Sequence, residues 1–233
     1  MKIGIMQPYL FPYLGYYQLI NAVDTFVIYD NIQYIKGGWI NRNRLLLNGQ
    51  IQMFTIPIAK ASNYLNINER YISSDINGKK NINKILFSIE NSYKKAPFFN
   101  DIFPLIEEIF NFNNNNLFEY LHFSLIKILD YMKIKTPINI SSEININHTL
   151  KHQNKVLSIC KKLNATDYIN SIGGITLYDY KKFKSNGFEL SFLKTLINLK
   201  VNSSSLSIID ILMNNSIADV NNMLNQYEII KND

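Results

Sequence analysis

Lys2-Ile3-Gly4-Ile5-Met6-Gln7-Pro8 opens a stretch of chain that closes on Thr25-Phe26-Val27-Ile28-Tyr29-Asp30. Residues 2–7 set Ile3 and Ile5 on either side of Gly4 and stop at Pro8, the pattern of a short buried strand. Pro8 to Gly15 contains Pro12 as well, and this punctuation excludes regular structure there. Tyr16 to Val23 leaves room for about two helical turns. Thr25 to Tyr29 is a second apolar strand, ending at Asp30. Strand, loop, short helix and strand in this order begin a parallel sheet, because a parallel neighbour can be reached only by a crossover. Such sheets hold ligands just past the carboxyl ends of their strands. Gln7 and Asp30 both stand there.

Beyond Asp30, Leu45 to Leu47 and Gln50 to Ile58 flank Asn48-Gly49, a strong hairpin signal. Residues 43–58 are therefore expected as two antiparallel strands, ended by Pro57. Residues 60–80 are polar and expected to be irregular. From Asn81 the apolar period becomes helical, with Ile82, Ile85, Leu86 and Ile89 on one face and Pro97 after the end. Asp101 to Phe110 repeats the pattern, with Asp101 as N-cap and Pro104 in the first turn. Asn113 to Asn116 reads as a plain linker. Leu117 to Met132 is a third helix, apolar along Leu121, Leu125, Ile128, Leu129 and Met132.

After Pro137 the α/β rhythm returns. It gives a strand at Ile138 to Ile140, a helix over 152–163, a strand near Tyr168-Ile169, a helix over 175–185 and a strand at Glu189 to Phe192. Short helices at Ile208 to Asn214 and 218–226 close the chain. The expected fold class is α/β: a parallel Rossmann-like sheet with a β-hairpin and a helical insertion. One domain is expected over 1–233, with its core in 1–58 and 137–200, the insertion at about 81–133 and C-terminal helices in 206–227.

Composition narrows the function. Lys plus Arg number 24 against 18 Asp plus Glu, a formal +6. Only Arg42, Arg44 and Arg70 are arginine, so this sparing use is concentrated in one short segment. Asparagine and isoleucine make up about 30% of the chain, a bias that fits an AT-rich genome and discounts the lysine excess. Lysine pairs such as Lys94-Lys95 and Lys161-Lys162 are scattered as on solvated helix faces, which argues against nucleic acid as a partner. The lone Cys160 forms no internal disulfide and points to a reducing, cytoplasmic setting. It falls on an apolar helix face and is expected to be buried and inert. No run approaches the roughly 20 apolar residues of a membrane span, and Gln7-Pro8 interrupts any leader-like segment. His148 and His152 have ligand spacing for a shared helix face, but no accompanying carboxylate gives an HExxH arrangement, so no metal site is expected.

Chemistry-bearing residues concentrate between Gln7 and Arg44. Gln7-Pro8-Tyr9-Leu10-Phe11-Pro12-Tyr13-Leu14-Gly15-Tyr16 follows the first strand and Asp30-Asn31-Ile32-Gln33-Tyr34 the second. Lys36-Gly37-Gly38-Trp39-Ile40-Asn41-Arg42-Asn43-Arg44 then brings the only tryptophan beside two arginines. Aromatic walls with a few convergent polar groups are how small-ligand pockets are built. Arginine forks grip phosphate or carboxylate bidentately. Phe11 and Tyr17 are better explained as core packing. Ser141-Ser142-Glu143 either faces the same crevice or caps a turn. A Ser141, His148, Asp30 triad has no support in spacing.

These same runs resemble the WbqC-like protein family. The resemblance continues through Tyr93-Lys94-Lys95-Ala96-Pro97-Phe98, Ser141-Ser142-Glu143, Tyr168-Ile169-Asn170-Ser171, Gly173-Gly174 and Leu206-Ser207-Ile208-Ile209-Asp210. It implies a place in bacterial O-antigen and capsule gene clusters, where glycine-type aminoacyl transfer to sugars is the activity proposed for some members. A weaker resemblance of the N-terminal motif is to pantothenate synthetase, a HUP nucleotidyl-transfer fold that activates a carboxylate with ATP and passes the acyl group to an amine. Tyr13 and Tyr16 fall at that family's two histidines, and Gln33 at a substrate-binding glutamine. Tyrosines carry no positive charge, so Arg42, Arg44 or Lys36 would have to meet phosphate.

The implied function is amide formation between a small amino acid, activated by ATP with magnesium or on an acyl carrier, and a nucleotide-linked amino sugar. The catalytic candidates are Asp30, as general base or orienter, with Lys36 and Arg42. The substrate-binding candidates are Gln7, Tyr13, Tyr16, Asn31, Gln33, Trp39, Asn41, Arg44 and Ser142. The rival is a non-catalytic module that binds a glycan or nucleotide sugar, or scaffolds the same pathway. A glycosyltransferase ranks below both, because the sequence has no Asp-x-Asp.

Overall fold

The structure is a computed structural model that describes residues 1–47, 49–73, 76–197 and 206–231. In chain order it runs β1 (Lys2–Met6), α1 (Leu14–Asn21), β2 (Thr25–Ile28), β3 (Arg42–Leu47) and β4 (Gln50–Thr55). The helices α2 (Ile76–Tyr93), α3 (Phe99–Phe110) and α4 (Leu117–Met132) follow. Then come β5 (Ile138–Ile140), α5 (His152–Lys162), β6 (Asp167–Ser171), α6 (Tyr180–Ser185) and β7 (Glu189–Thr195). The short helices α7 (Ile208–Asn214) and α8 (Ile217–Met223) precede β8 (Tyr227–Lys231).

Six strands form one sheet in the order β5-β2-β1-β6-β7-β8, and β3 pairs with β4 as a separate antiparallel hairpin. Every pairing in the sheet is parallel except β7 with β8. The five parallel strands, counted among themselves, stand in the order 3-2-1-4-5, that of a doubly wound α/β fold. The order reverses between β1 and β6, so the crevice outside their carboxyl ends is the topological switch point.

Alternation along the strands assigns the two layers. Ile3, Ile5 and Val27 point into the core beneath α5 and α6, with Val156, Cys160 and Phe183. Phe26 and Ile28 point the other way, into the larger core shared by α1, the insertion α2–α4, α7 and α8. Gly4 lets β1 and β2 close up there, since a β-carbon on it would lie 3.1 Å from the Phe26 ring. The hairpin packs on that same side through Leu45, Leu47 and Phe54. Gly49 has φ +76°, which glycine adopts freely in a tight turn; Asn48 of the expected Asn-Gly pair lies outside the described residues.

Several expectations are corrected. The insertion begins at Ile76, ahead of the expected Asn81. In α3 the N-cap is Phe98, Asp101 lies inside the first turn, and Pro104 sits in the helix interior. The span 175–185 is not one helix: a 3-10 turn at Ile172–Leu177 gives way to α6, whose start is fixed by Asp179 accepting from the backbone N–H groups of Lys181 and Lys182. Asn116 is no mere linker. It caps α4 by accepting from Glu119 N at 3.1 Å and donates to Asn68 O at 2.8 Å. β8 was not expected; it closes the sheet edge beyond β7.

Candidate functional site

The carboxyl ends of β1, β2, β5 and β6 lie side by side, and each delivers polar groups to one edge of the sheet. β1 ends at Met6, whose carbonyl accepts from Tyr29 N at 2.8 Å, so Gln7 and Asp30 leave neighbouring strands together. Gln7 Nε2 donates to the Tyr9 hydroxyl at 2.9 Å, while its Oε1 is buried without a partner. Tyr13, half-buried ahead of α1, faces Ser171 at the end of β6. Burial pushes its phenol above the ordinary range, and Ser171 opposes that shift only in part. Tyr13 and Ser171 thus face each other across the switch point.

Asp30 is fully buried. Its Oδ2 accepts from Asn68 Nδ2 at 2.7 Å and its Oδ1 from the backbone N–H of Ser142 at 2.9 Å. Both oxygens are engaged with the protein, a geometry that suits the orienting role more than proton abstraction. The carboxylate ties the end of β2 to the turn after β5 and to the 3-10 turn Ile67–Glu69. Ser142 is exposed and enters this arrangement through its backbone. Ser141 is the buried member of the pair, and its Oγ donates to Asn31 Oδ1 at 2.8 Å.

Lys155, missed by sequence reasoning, reaches this edge from α5. It is 3% exposed, and its ammonium donates to Asn31 O at 2.9 Å and Asn31 Oδ1 at 2.8 Å, 4.9 Å from the Tyr29 ring centroid. Burial lowers its pKa, and the Asp30 carboxylate opposes that in part. The sequence places Lys155 beside Val156, Ile159 and Cys160 on the buried stripe of α5, where a lysine ordinarily sends its head to water, so it did not stand out. His148 also belongs here, with Nδ1 2.9 Å from Asn31 Nδ2. It lies on the turn before α5, so it and His152, the first residue of α5, do not share a helix face as their spacing suggested. Ser141 and His148 do meet, at Asn31, whereas the Asp30 carboxylate is bonded to Asn68 and Ser142, so the three form no nucleophile–base relay.

Tyr16, expected as a wall, is fully buried under the site. Its hydroxyl donates to Gln7 O at 3.2 Å and its ring packs on Phe26, so it supports Gln7 and offers a ligand no surface. Phe11 and Tyr17 are core residues, as expected, with Phe11 stacked on Phe110.

The arginines form a second cluster on β3. The guanidinium carbons of Arg42 and Arg44 lie 5.8 and 4.6 Å from the centroid of the Trp39 ring, and Arg42 Nε donates to Gly38 O at 2.9 Å. Neither arginine pairs with a carboxylate; among the described residues the ion pairs are Lys127–Glu108 and Lys194–Glu228. Asn43 anchors this strand to the loop after β1 by donating to Leu10 O and Phe11 O at 2.9 and 2.7 Å. Asn41 is buried and structural: it accepts from the Tyr34 hydroxyl at 2.8 Å and donates to Ile56 O at 2.7 Å. Gln33 is exposed and donates to Asn63 O at 2.9 Å. Lys36 is exposed.

Sheet order and strand-end cluster together define a doubly wound α/β protein whose polar groups converge at the switch point. The chain belongs to the WbqC-like protein family, whose model matches residues 7–222. A curated relative, the uncharacterised protein Rv1507c of Mycobacterium tuberculosis, is 27% identical over 184 residues, covering 78% of this chain and 77% of its own. No solved structure matches the chain. Among the described residues no helix is long and apolar enough to cross a membrane.

Proposed function

We propose that the chain is a transferase of surface polysaccharide biosynthesis, in O-antigen or capsule assembly, that joins a glycine-type aminoacyl group to the amine of a nucleotide-linked amino sugar. The observation that supports it most is the convergence of Gln7, Tyr13 and Ser171 at the switch point, with Asn31 and Lys155 beside them at the end of β2. Doubly wound sheets bind nucleotides at this place. In the transfer, the amine nitrogen attacks the acyl carbon, a C–N bond forms, the bond to the donor's leaving group breaks, and the amine gives up a proton.

ATP with magnesium, or an acyl carrier, would supply the activated donor. Gln7, whose Oε1 is buried without a partner, fits a ligand N–H at this place. Phosphate charge would fall to Lys155, Arg42, Arg44 or Lys36, because Tyr13 and Tyr16 are neutral. The proposed setting is the cytoplasm, in keeping with a lone thiol at Cys160. Incubation with amino acids, ATP and nucleotide-linked amino sugars should give an amide product. Exchange of labelled pyrophosphate into ATP tests activation by ATP, and its absence with product formed from a carrier-bound donor assigns the carrier route.

A second function is favoured by one observation: both Asp30 oxygens are occupied and buried, leaving that carboxylate unavailable as a base. The chain would then be a nucleotide-sugar-binding or scaffold protein of the same pathway. Binding of nucleotide sugar without turnover, under any donor, decides for it.

A further inference from the structure

Asn31 is the meeting point of three side chains at the end of β2. Its Oδ1 accepts from Lys155 Nζ and from Ser141 Oγ, each at 2.8 Å, and its Nδ2 lies 2.9 Å from His148 Nδ1. An ammonium has donors and no acceptor, so the Asn31 atom that faces Lys155 must be the oxygen. This removes the usual ambiguity of a carboxamide, whose two ends exchange freely when a hydroxyl or another amide faces them. The Asn31 nitrogen therefore faces His148, and it can only donate. His148 Nδ1 must accept, and a neutral imidazole that accepts at Nδ1 carries its proton on Nε2.

Nε2 lies on the far side of the ring from Asn31, and His148 is exposed, so this N–H is turned outward beside the strand ends. The turn that carries the ring has its own closure: Asn147 Oδ1 accepts from Thr149 N at 3.0 Å and from Thr149 Oγ1 at 2.7 Å. A neutral buried donor at position 155 would be cheaper to desolvate than lysine. A cation that carries donors and no acceptor enforces one orientation of Asn31 through charge and donor count together.

We propose that Lys155, acting through Asn31, is a positioning residue that fixes His148 as the Nε2–H tautomer, so that His148 presents a hydrogen-bond donor to an anionic oxygen of the ligand, of the phosphate or carboxylate kind. The ligand half rests on the function proposed above, whereas the tautomer half is independent of it.

Histidine ¹⁵N spectra of the full chain test the first half, at about pH 8, where an ordinary imidazole is neutral. His148 is expected as a single Nε2–H tautomer in the wild type and in Lys155→Arg, and as a mixture in Lys155→Met. Asn31→Asp, which places an acceptor opposite Nδ1, is expected to reverse the tautomer to Nδ1–H, and it serves equally if Lys155→Met does not fold. A mixed or Nδ1–H signal in the wild type, or no reversal in Asn31→Asp, overturns the inference. For the second half, uridine diphosphate is titrated by calorimetry into the wild type and His148→Ala. Loss of one such hydrogen bond to an anionic oxygen should weaken binding about ten- to a hundredfold. Equal affinities, or no binding by the wild type, overturn the donor role. Absence of amide product with this affinity difference intact counts against the transfer reaction alone.

Discussion

Gly15 makes room for the ring of Tyr13: a β-carbon at position 15 would lie 2.6 Å from Tyr13 Cε2, closer than side-chain carbons approach. Since Tyr13 faces Ser171 across the switch point, this glycine sets the shape of the candidate site without touching a ligand. Gly15→Ala gains about 1 kcal/mol of helix propensity in α1. It must also push the Tyr13 ring aside. The expected outcome is a melting temperature within a few degrees of wild type and roughly tenfold weaker nucleotide-sugar binding by calorimetry, on the order of one hydrogen bond. Wild-type affinity in this variant would remove Tyr13 from the site.

Trp39 is the only tryptophan, and two guanidinium groups lie over its ring, so intrinsic fluorescence reads the arginine cluster directly. Arg44 is the closer cation, and its Nε is buried without a partner. Arg44→Ala should shift the Trp39 emission. It should also cost about 1 kcal/mol of stability through the lost cation–π contact. If the pair grips a ligand anion, adding a nucleotide sugar changes the emission of the wild type and leaves that of Arg42→Ala/Arg44→Ala unchanged. A ligand-induced change that survives in the double variant places the anion elsewhere.

The sheet was legible because a buried parallel strand is written as a short apolar run, as in Thr25–Ile28, and the half-buried edge strand Ile138–Ile140 as two isoleucines about Asn139 just after Pro137. Gln7 and Asp30 followed from those strand ends by topology alone. Lys155 did not, since a lysine on a helix stripe is ordinarily a side chain whose head reaches water, and only the packing of α5 against β2 shows that it ends on Asn31. Tyr16 was misplaced for the converse reason. Aromatic residues in a loop after a strand wall a pocket or fill a core, and the choice depends on where α1 begins, which local pattern left two residues too late. β8 escaped because its edge pairing with β7 gives it no buried apolar run.

Alkaline pH should destabilise the fold steeply. Burial pushes the Cys160 thiol from 9.0 up to about 12, and the phenols of Tyr16, Tyr17 and Tyr168 well above their ordinary value. Between pH 9.0 and about 12 the unfolded chain loses the Cys160 proton while the folded chain keeps it. The folded state then binds more protons, so stability is full below that interval and falls as pH rises through it. The tyrosines add the same sign above pH 10.0. Denaturant midpoints across this range should drop, and Cys160→Ala should flatten the onset of the fall near pH 9.0, where most phenols are still protonated in both states. A thiol reagent at about pH 8 should label Cys160 only in denaturant. Rapid labelling of the native protein would show that the thiol is open to solvent.

Asp30→Asn distinguishes an orienting carboxylate from a catalytic base. Asp30 accepts two hydrogen bonds, from Asn68 Nδ2 and from Ser142 N, and an amide can satisfy only one of those donors while its own N–H₂ faces the other. Burying two donors against each other should cost about 1–3 kcal/mol. The strain falls on the turn after β5, which carries Ser141 to Asn31, and on the 3-10 turn that presents Asn68. The same change removes the carboxylate that opposes desolvation of Lys155, so the lysine pKa falls further. An orienting role predicts that stability and ligand affinity drop together in Asp30→Asn, with the pH profile of any transfer activity keeping its shape. A catalytic base predicts wild-type affinity with turnover lost. The burial of both oxygens argues for the first outcome, and chemical denaturation beside calorimetry on the same variant separates the two.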